Sequence, residues 1–416
     1  MPVGTPAGRV ATPFVRSLPH RIWQMLPPVA RRTVMSQVTA LMAPLPCTRP
    51  GAPYAALAIA GEFSRASGMG ETARLMATAA SRIGVPVWRT DVLPPVDRQA
   101  ELACPHDPPP PRGAPLVVHI NAPLLPLAFM RLPRPLVKNR RIIGYWAWEL
   151  PTVPPEWQLG ARFVHEVWAP SRFTAAALEP LAPGRVRVVP PPLVDAPPKP
   201  AHRGRDTFGL PADAVIVLVS FNLASSFARK NPLAAIAAFR AAFGDRPDRI
   251  LVLKVNHPEH APDDFERLRQ AAQAPNIRLE TRILPTEDSH ALTACSDIVL
   301  SLHRSEGFGL VLAEAMFLGK PVIATGWSGN MDFMDSDTAA LVGFHHIPVQ
   351  DDRMVYRDSF WAEPDIGQAT EHLRRLASDA AVRHALGARA AQGVRMRLST
   401  DALATAMRGI GLHVPA

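Results

Sequence analysis

Cysteine is scarce in this chain: only Cys47, Cys104 and Cys295 stand among 416 residues. Their spacing offers no C-x-x-C pair and no ladder of pairs. That excludes a disulfide scaffold and fits a reducing compartment. No apolar run reaches the ~18 residues a membrane-spanning helix needs. The opening MPVGTPAGRV lacks the basic-then-apolar order of a secretory signal, so a cytoplasmic location is expected. Aromatic residues are 6% of the chain, and its basic blocks lack the interleaved rings of a base-stacking platform. Nucleic acid is therefore not an expected partner. Acidic residues are missing from positions 1–50, which hold Arg9, Arg16, Arg21, Arg31, Arg32 and Arg49.

What is present is apolar and basic. Hydrophobic residues make up 47%, enough for a large core, and the formal net charge is +9. A second basic stretch, Arg131, Arg134, Lys138, Arg140 and Arg141, is mixed with Leu, Met, Phe and Pro. Cations beside apolar residues suit the anionic inner face of a membrane, with the protein bound peripherally. They equally suit a solvated surface. The 46 prolines cluster locally, which implies rigid loops.

The length suggests two domains of roughly 150–200 residues. Residues 1–53 read as a basic, Pro-rich extension, within which 30–44 can form a short helix. A first unit at 54–200 begins with the buried-strand pattern YAALAIAGEF. A glycine loop and an amphipathic helix follow in SRASGMGETARLMATAASRIG. Further strands are expected in VVHINA (117–122), RIIGYWAWEL (141–150) and FVHEVWAPS (163–171), with Ser171 capping a helix. A Pro-rich linker lies near 195–206. The second unit, 201–388, alternates strands at 214–221, 249–256, 276–281, 297–303 and 320–326 with helices between them. That alternation means parallel sheets with right-handed crossovers, an α/β fold. Two helical segments, 365–388 and about 389–410, end the chain. A C-terminal helix in 389–416 is expected to cross back to the first unit.

Chemistry concentrates in SLHRSEGFGLVLAEAMFLGKPVIATGWSGN, residues 301–330. A strand ends near His303, turns through Gly307 and Gly309, and enters a helix. Ligands of doubly wound sheets bind at such carboxyl edges. Free N–H groups in the first helical turn favour a diphosphate, and glycine lets the backbone approach it. Glu306 and Glu314 flank this cradle. Carboxylates accept hydrogen bonds, so they suit vicinal hydroxyls of a hexose on one side and a ribose on the other. Arg229 and Lys230, in SFARKNP, stand where the chain leaves the first strand of the second unit. Lys254 is a polar break near a strand end. Gly68 and Gly70 open the first glycine loop, and His119 ends a strand.

The segment E-G-F-G-L-x-x-x-E-A-M-x-x-G-K-P-V-I-A-T resembles the signature of the large retaining glycosyltransferase family with the GT-B fold, the family four type with two glutamates seven residues apart. The resemblance implies two Rossmann-like α/β/α domains whose parallel sheets face across a cleft. It also implies a metal-independent hexosyltransferase that uses a GDP- or UDP-sugar and no cofactor. Under it, Glu306 approaches the donor-sugar hydroxyls. Gly307, Phe308, Gly309 and Leu310 line the diphosphate, and Glu314 holds the ribose. Lys230 resembles the family's phosphate lysine. The position five residues earlier is Ser225 rather than arginine, which leaves Arg229 as a substitute. His119 resembles a first-domain histidine that contacts sugar, and the Gly68–Gly70 loop one that reaches the donor phosphates.

The stretch Y-W-x-W-E-L (145–150) and EVWAPS are similar to a bacterial subset acting on surface or exported polysaccharides. The sugar would then be a hexose such as mannose or glucose, and the acceptor a carbohydrate or lipid-linked hydroxyl. Tyr145, Trp146, Trp148 and Glu149 suit either an acceptor groove or a core cluster. Two alternatives stand beside transfer: a sugar-nucleotide epimerase on a related fold, and a non-enzymatic nucleotide-sugar-binding protein. No metal-ligand cluster is read from the sequence.

Overall fold

A computed structural model describes residues 25–52, 54–92, 102, 107–398 and 401–415. Arg9, Arg16, Arg21 and Cys104 lie outside the described residues.

The apolar runs become two parallel sheets. The first holds β1 (Leu57–Gly61), β2 (Val87–Asp91), β3 (Leu116–His119), β4 (Ile142–Tyr145), β5 (Glu166–Ala169) and β6 (Val186–Val188), in the order β2-β1-β3-β4-β5-β6. The second holds β7 (Val215–Asn222), β8 (Arg249–Asn256), β9 (Ile277–Glu280), β10 (Ile298–Ser301), β11 (Val322–Thr325) and β12 (Ala340–Val342), in the order β12-β11-β10-β7-β8-β9. Every pairing in both is parallel. Strands buried on both faces read as continuous apolar runs, as LAIAG and LVVH do.

Strand order decides where the site falls. In the second sheet the chain leaves β7 toward β8 and β9 on one side, then returns to place β10 on the other. The loops after β7 and β10 therefore part in opposite directions and leave a crevice at their carboxyl ends. Arg229 and Lys230 lie in the first loop, Glu306 in the second.

Two features depart from the sequence reading. The C-terminal region is three helices, Ile366–Ser378, Ala380–Arg397 and Asp401–Gly409. Asp379 breaks the first periodic run because its carboxylate accepts from the Val382 N–H at 3.1 Å and starts a new helix. Leu403, Met407, Ile410 and Leu412 then pack with Leu57, Ile59 and Met76 in the first domain. The second departure is an antiparallel hairpin, β13 (Phe344–Pro348) with β14 (Phe360–Pro364). It sends Tyr356 and Trp361 into the core of the first domain, among Trp146, Trp148 and Trp157.

Helix Ala380–Arg397 crosses the chain just after helix Leu310–Phe317 at a glycine pair. A Cβ on Gly387 would stand 2.0 Å from the Gly319 carbonyl oxygen. Gly387→Ala is expected to lower stability by about 1–3 kcal/mol, since backbone must move to admit the methyl. A urea-denaturation midpoint equal to that of the parent would refute this close approach.

Candidate functional site

The crevice is fixed first by its backbone. Gly309 takes φ 94 at the entry to helix Leu310–Phe317, a left-handed conformation that glycine adopts cheaply. The Gly307 carbonyl accepts from Ser171 Oγ at 2.6 Å and Thr174 Oγ1 at 3.1 Å, both from the first domain. Gly329 packs against it, where a Cβ would lie 2.2 Å from the Gly307 oxygen. The Glu306 N–H donates to Ser328 Oγ at 2.8 Å, and its carbonyl accepts from the Gly329 N–H at 2.9 Å. Ser305 Oγ donates to the Glu149 carbonyl across the two domains. Glu306 is thus held by both neighbours.

Charge gathers on this frame. Ser226 caps the short helix Phe227–Lys230 by accepting from the Arg229 N–H at 3.2 Å. That turn delivers two cations to one carboxylate. Lys230 Nζ lies 2.5 Å from Glu306 Oε1, and Arg229 Nη1 lies 3.3 Å from Glu306 Oε2. The Arg229 side chain is 2% exposed and lies between two acids, with Nη2 at 3.6 Å from Glu149 Oε1. Nη1 also donates to the Ser305 carbonyl at 2.8 Å and Nη2 to Ser225 Oγ at 2.6 Å, while the buried Nε has no hydrogen-bond partner among the described residues. Tyr356 O–H donates to Glu149 Oε2 at 2.9 Å, and its ring stands 5.7 Å from the guanidinium. Burial pushes the Glu306 carboxyl up, but Lys230 and Arg229 outweigh it and hold the group at about 2.

The cleft between the domains encloses about 660 Å³. Arg229, Lys230, Glu306, Gly307, Phe308, Gly309, Leu310 and Glu314 all line it, and Ser67, Gly68, Met69 and Glu71 line it from the first domain. Ser67 caps helix Gly68–Arg82 there, accepting from the Gly70 N–H at 3.0 Å. The Glu314 side chain is 16% exposed and lies 3.7 Å from His290 Nε2. Burial raises Glu314 above the usual carboxylate range, against the opposing pull of His290.

Three candidates stand away from the wall. Gly70 faces backbone, where a Cβ would meet the Glu62 carbonyl at 2.4 Å. Lys254 is 2% exposed and donates to Asn256 Oδ1; burial lowers it to about 8. Asn256 itself reaches the cleft. His119 is fully buried, stacked at 4.5 Å on Tyr145, with Nε2 3.4 Å from Met76 Sδ. Burial drives it down to about 3, so it stays neutral. Trp146 and Trp148 are core residues, whereas Tyr145 and Glu149 border the cleft. His303 is buried against Asn330 and Ser301.

The sequence reading missed Thr174, His290 and Tyr356. Each meets its partner only through long-range packing, and no local pattern marks it. Among the described residues one group has the atoms to hold a metal, His257, Glu259 and His260. It borders the cleft, with His257 Nδ1 3.2 Å from Glu259 Oε1.

Residues 220–349 match the family model described as glycosyl transferases group 1. That stretch contains Arg229, Lys230, Lys254, Glu306 and Glu314. No curated protein matches the chain. Among solved structures, sucrose-phosphate synthase from Thermosynechococcus elongatus aligns at TM-score 0.60 and 17% identity, covering 85% of this chain and 98% of its own. HepE from Anabaena, solved in complex with UDP and glucose, aligns at TM-score 0.56 and 14% identity, covering 85% and 98%. WaaG, a glycosyltransferase involved in lipopolysaccharide biosynthesis, aligns at TM-score 0.51 and 16% identity, covering 85% and 99%. The chain therefore has the GT-B fold: two parallel-sheet α/β domains facing across a cleft.

Glu306 links the site to acid stability. Its folded value of about 2 lies below its ordinary 4.5. A depressed carboxylate contributes stability in full above the ordinary value and loses it as pH falls toward the folded one. Urea denaturation from pH 6 down to pH 3 should show a steeper loss for the parent than for Glu306→Gln. Parallel curves would overturn the ion-pair assignment.

Proposed function

We propose that the chain is a retaining, metal-independent glycosyltransferase, moving a hexose from a UDP- or GDP-sugar to a hydroxyl of a carbohydrate or lipid-linked acceptor. The observation that carries this reading is the meeting of Arg229, Lys230 and Glu306 at the glycine turn before helix Leu310–Phe317, inside an interdomain cleft. The family match over 220–349 and the sugar and UDP bound by HepE support it.

The roles follow from charge. Cleavage of the glycosidic bond leaves a diphosphate with growing negative charge, which Arg229, the N–H groups of the first helical turn and Lys230, turned from Glu306 toward the donor, stabilise. Glu306, ionised at neutral pH, accepts hydrogen bonds from donor-sugar hydroxyls and takes Lys230 as its counter-charge until donor arrives. Glu314 accepts from the ribose. Glu149 faces the same space from the first domain, which suits an acceptor hydroxyl entering opposite the donor. The leaving phosphate takes up the acceptor proton as the new bond forms on the face the diphosphate leaves. Cleft closure keeps out water and suppresses donor hydrolysis.

The test is a panel of radiolabelled UDP- and GDP-hexoses, each with and without a lipid-linked oligosaccharide extract. Transfer of label to the extract is expected from one donor. Glu306→Gln should lower kcat/KM roughly a hundredfold or more, and Lys230→Ala similarly. An altered sugar formed without acceptor would instead establish an epimerase. Donor binding with no turnover would establish a binding protein. Unchanged rates in folded Glu306→Gln would remove that residue from the reaction.

A further inference from the structure

The helix Pro28–Met42 is packed inside out. Val34, Met35, Val38, Leu41 and Met42 fall at i, i+1, i+4, i+7 and i+8, one stripe of an α-helix, and all are exposed. Leu41 is 86% exposed and Met42 65%. The inward face instead carries Ser36 and Thr39, 3% and 4% exposed. Ser36 Oγ donates to the Glu156 carbonyl at 3.4 Å, and Thr39 Oγ1 to the Met35 carbonyl at 2.7 Å. An ordinary surface helix buries its large apolar side chains and exposes its polar ones. Here an exposed apolar ridge is held in place by small residues, Ser36 and Thr39 together with Ala40 and Ala43 against the first-domain core, which calls for a partner.

The surroundings identify that partner. Helix Leu125–Arg131 packs beside the ridge and adds exposed Met130. Arg131, Arg134 and Lys138 are exposed around its end. No acidic residue occurs between 25 and 61 or between 108 and 148. The face is thus apolar with basic shoulders; the acids that meet the helix come from elsewhere in the chain, Glu156 at 4.0 Å from Arg32 and paired with Arg357, and Asp351 near Arg32.

We infer that this face seats on an anionic lipid bilayer, the ridge entering the headgroup and acyl boundary while Arg134 and Lys138 meet lipid phosphates. A second copy of the chain fits poorly, because a two-fold contact would set these basic shoulders against one another. Single-stranded nucleic acid would need stacking rings that the ridge lacks.

The full chain is mixed with vesicles of phosphatidylcholine alone or with 30 mol% phosphatidylglycerol, sedimented at ~0.1 M salt, and the bound fraction measured. Binding to the anionic vesicles and little to the neutral ones is expected. Arg134→Glu and Lys138→Glu should each weaken binding about fivefold or more. Leu41→Glu with Met42→Glu should abolish it. Circular dichroism and urea midpoints matching the parent would show that these exposed positions leave the fold intact. Equal binding to both vesicle types overturns the electrostatic part. Undiminished binding of the Leu41→Glu, Met42→Glu protein overturns the ridge. A dimer in size-exclusion chromatography that the same double variant splits would assign the face to self-association and overturn the proposal.

Discussion

The molecule turns on one buried guanidinium. Arg229 lies out of water between Glu306 of its own domain and Glu149 of the other, with Tyr356 alongside. Guanidinium keeps its charge, so burial is tolerable only if acids and acceptors surround it. Meeting that demand draws together the loop after β7, the loop after β10, the end of β4 and the β13–β14 hairpin. The interdomain cleft is the space left beside this cluster. The pairing also leaves Glu306 ionised and Lys230 within reach of the same opening, so one electrostatic requirement both joins the domains and readies the site.

What local sequence encodes was legible. Alternating apolar runs and amphipathic helices read as two parallel-sheet units because periodicity is a property of the segment itself. The glutamate pair and the Arg229–Lys230 turn stood out because a charge inside an apolar run, or at a strand end, is costly without a purpose. What depended on meeting across the chain was not legible. Tyr356 acts through a hairpin whose strands are joined by a long connection without a two-residue turn signal. Thr174 and Ser171 serve Gly307 from more than a hundred positions away.

His119 shows a subtler limit. Its place at the end of a strand was read correctly, since β3 runs Leu116–His119. Successive residues of a strand face opposite sides, and both sides of a parallel sheet are covered. Pattern alone gives no preference between the cleft edge and the packed layer. The ring went to the layer, against Tyr145 and Met76, while Tyr145 reaches the cleft in its place. Lys254 behaves similarly, with Asn256 standing between it and the opening.

The apolar ridge and the charge cluster are joined by one loop. Arg32, on the ridge helix, donates to the carbonyls of Arg353 at 3.2 Å and of Met354. Two residues on, Tyr356 holds Glu149, and Arg357 pairs with Glu156 at 2.6 Å. Met354 and Asp358 both have φ 52, a left-handed conformation that disfavours side chains and costs on the order of 1–3 kcal/mol each. Such strain persists only where the surroundings over-determine it. Here Arg32 fixes one side and the Asp351 carboxylate accepts from the N–H groups of Val355 and Tyr356 at 2.8 and 3.0 Å. The ridge helix is therefore part of the support that sets the Tyr356 hydroxyl on Glu149, and through it part of what keeps Arg229 buried and charged at the cleft.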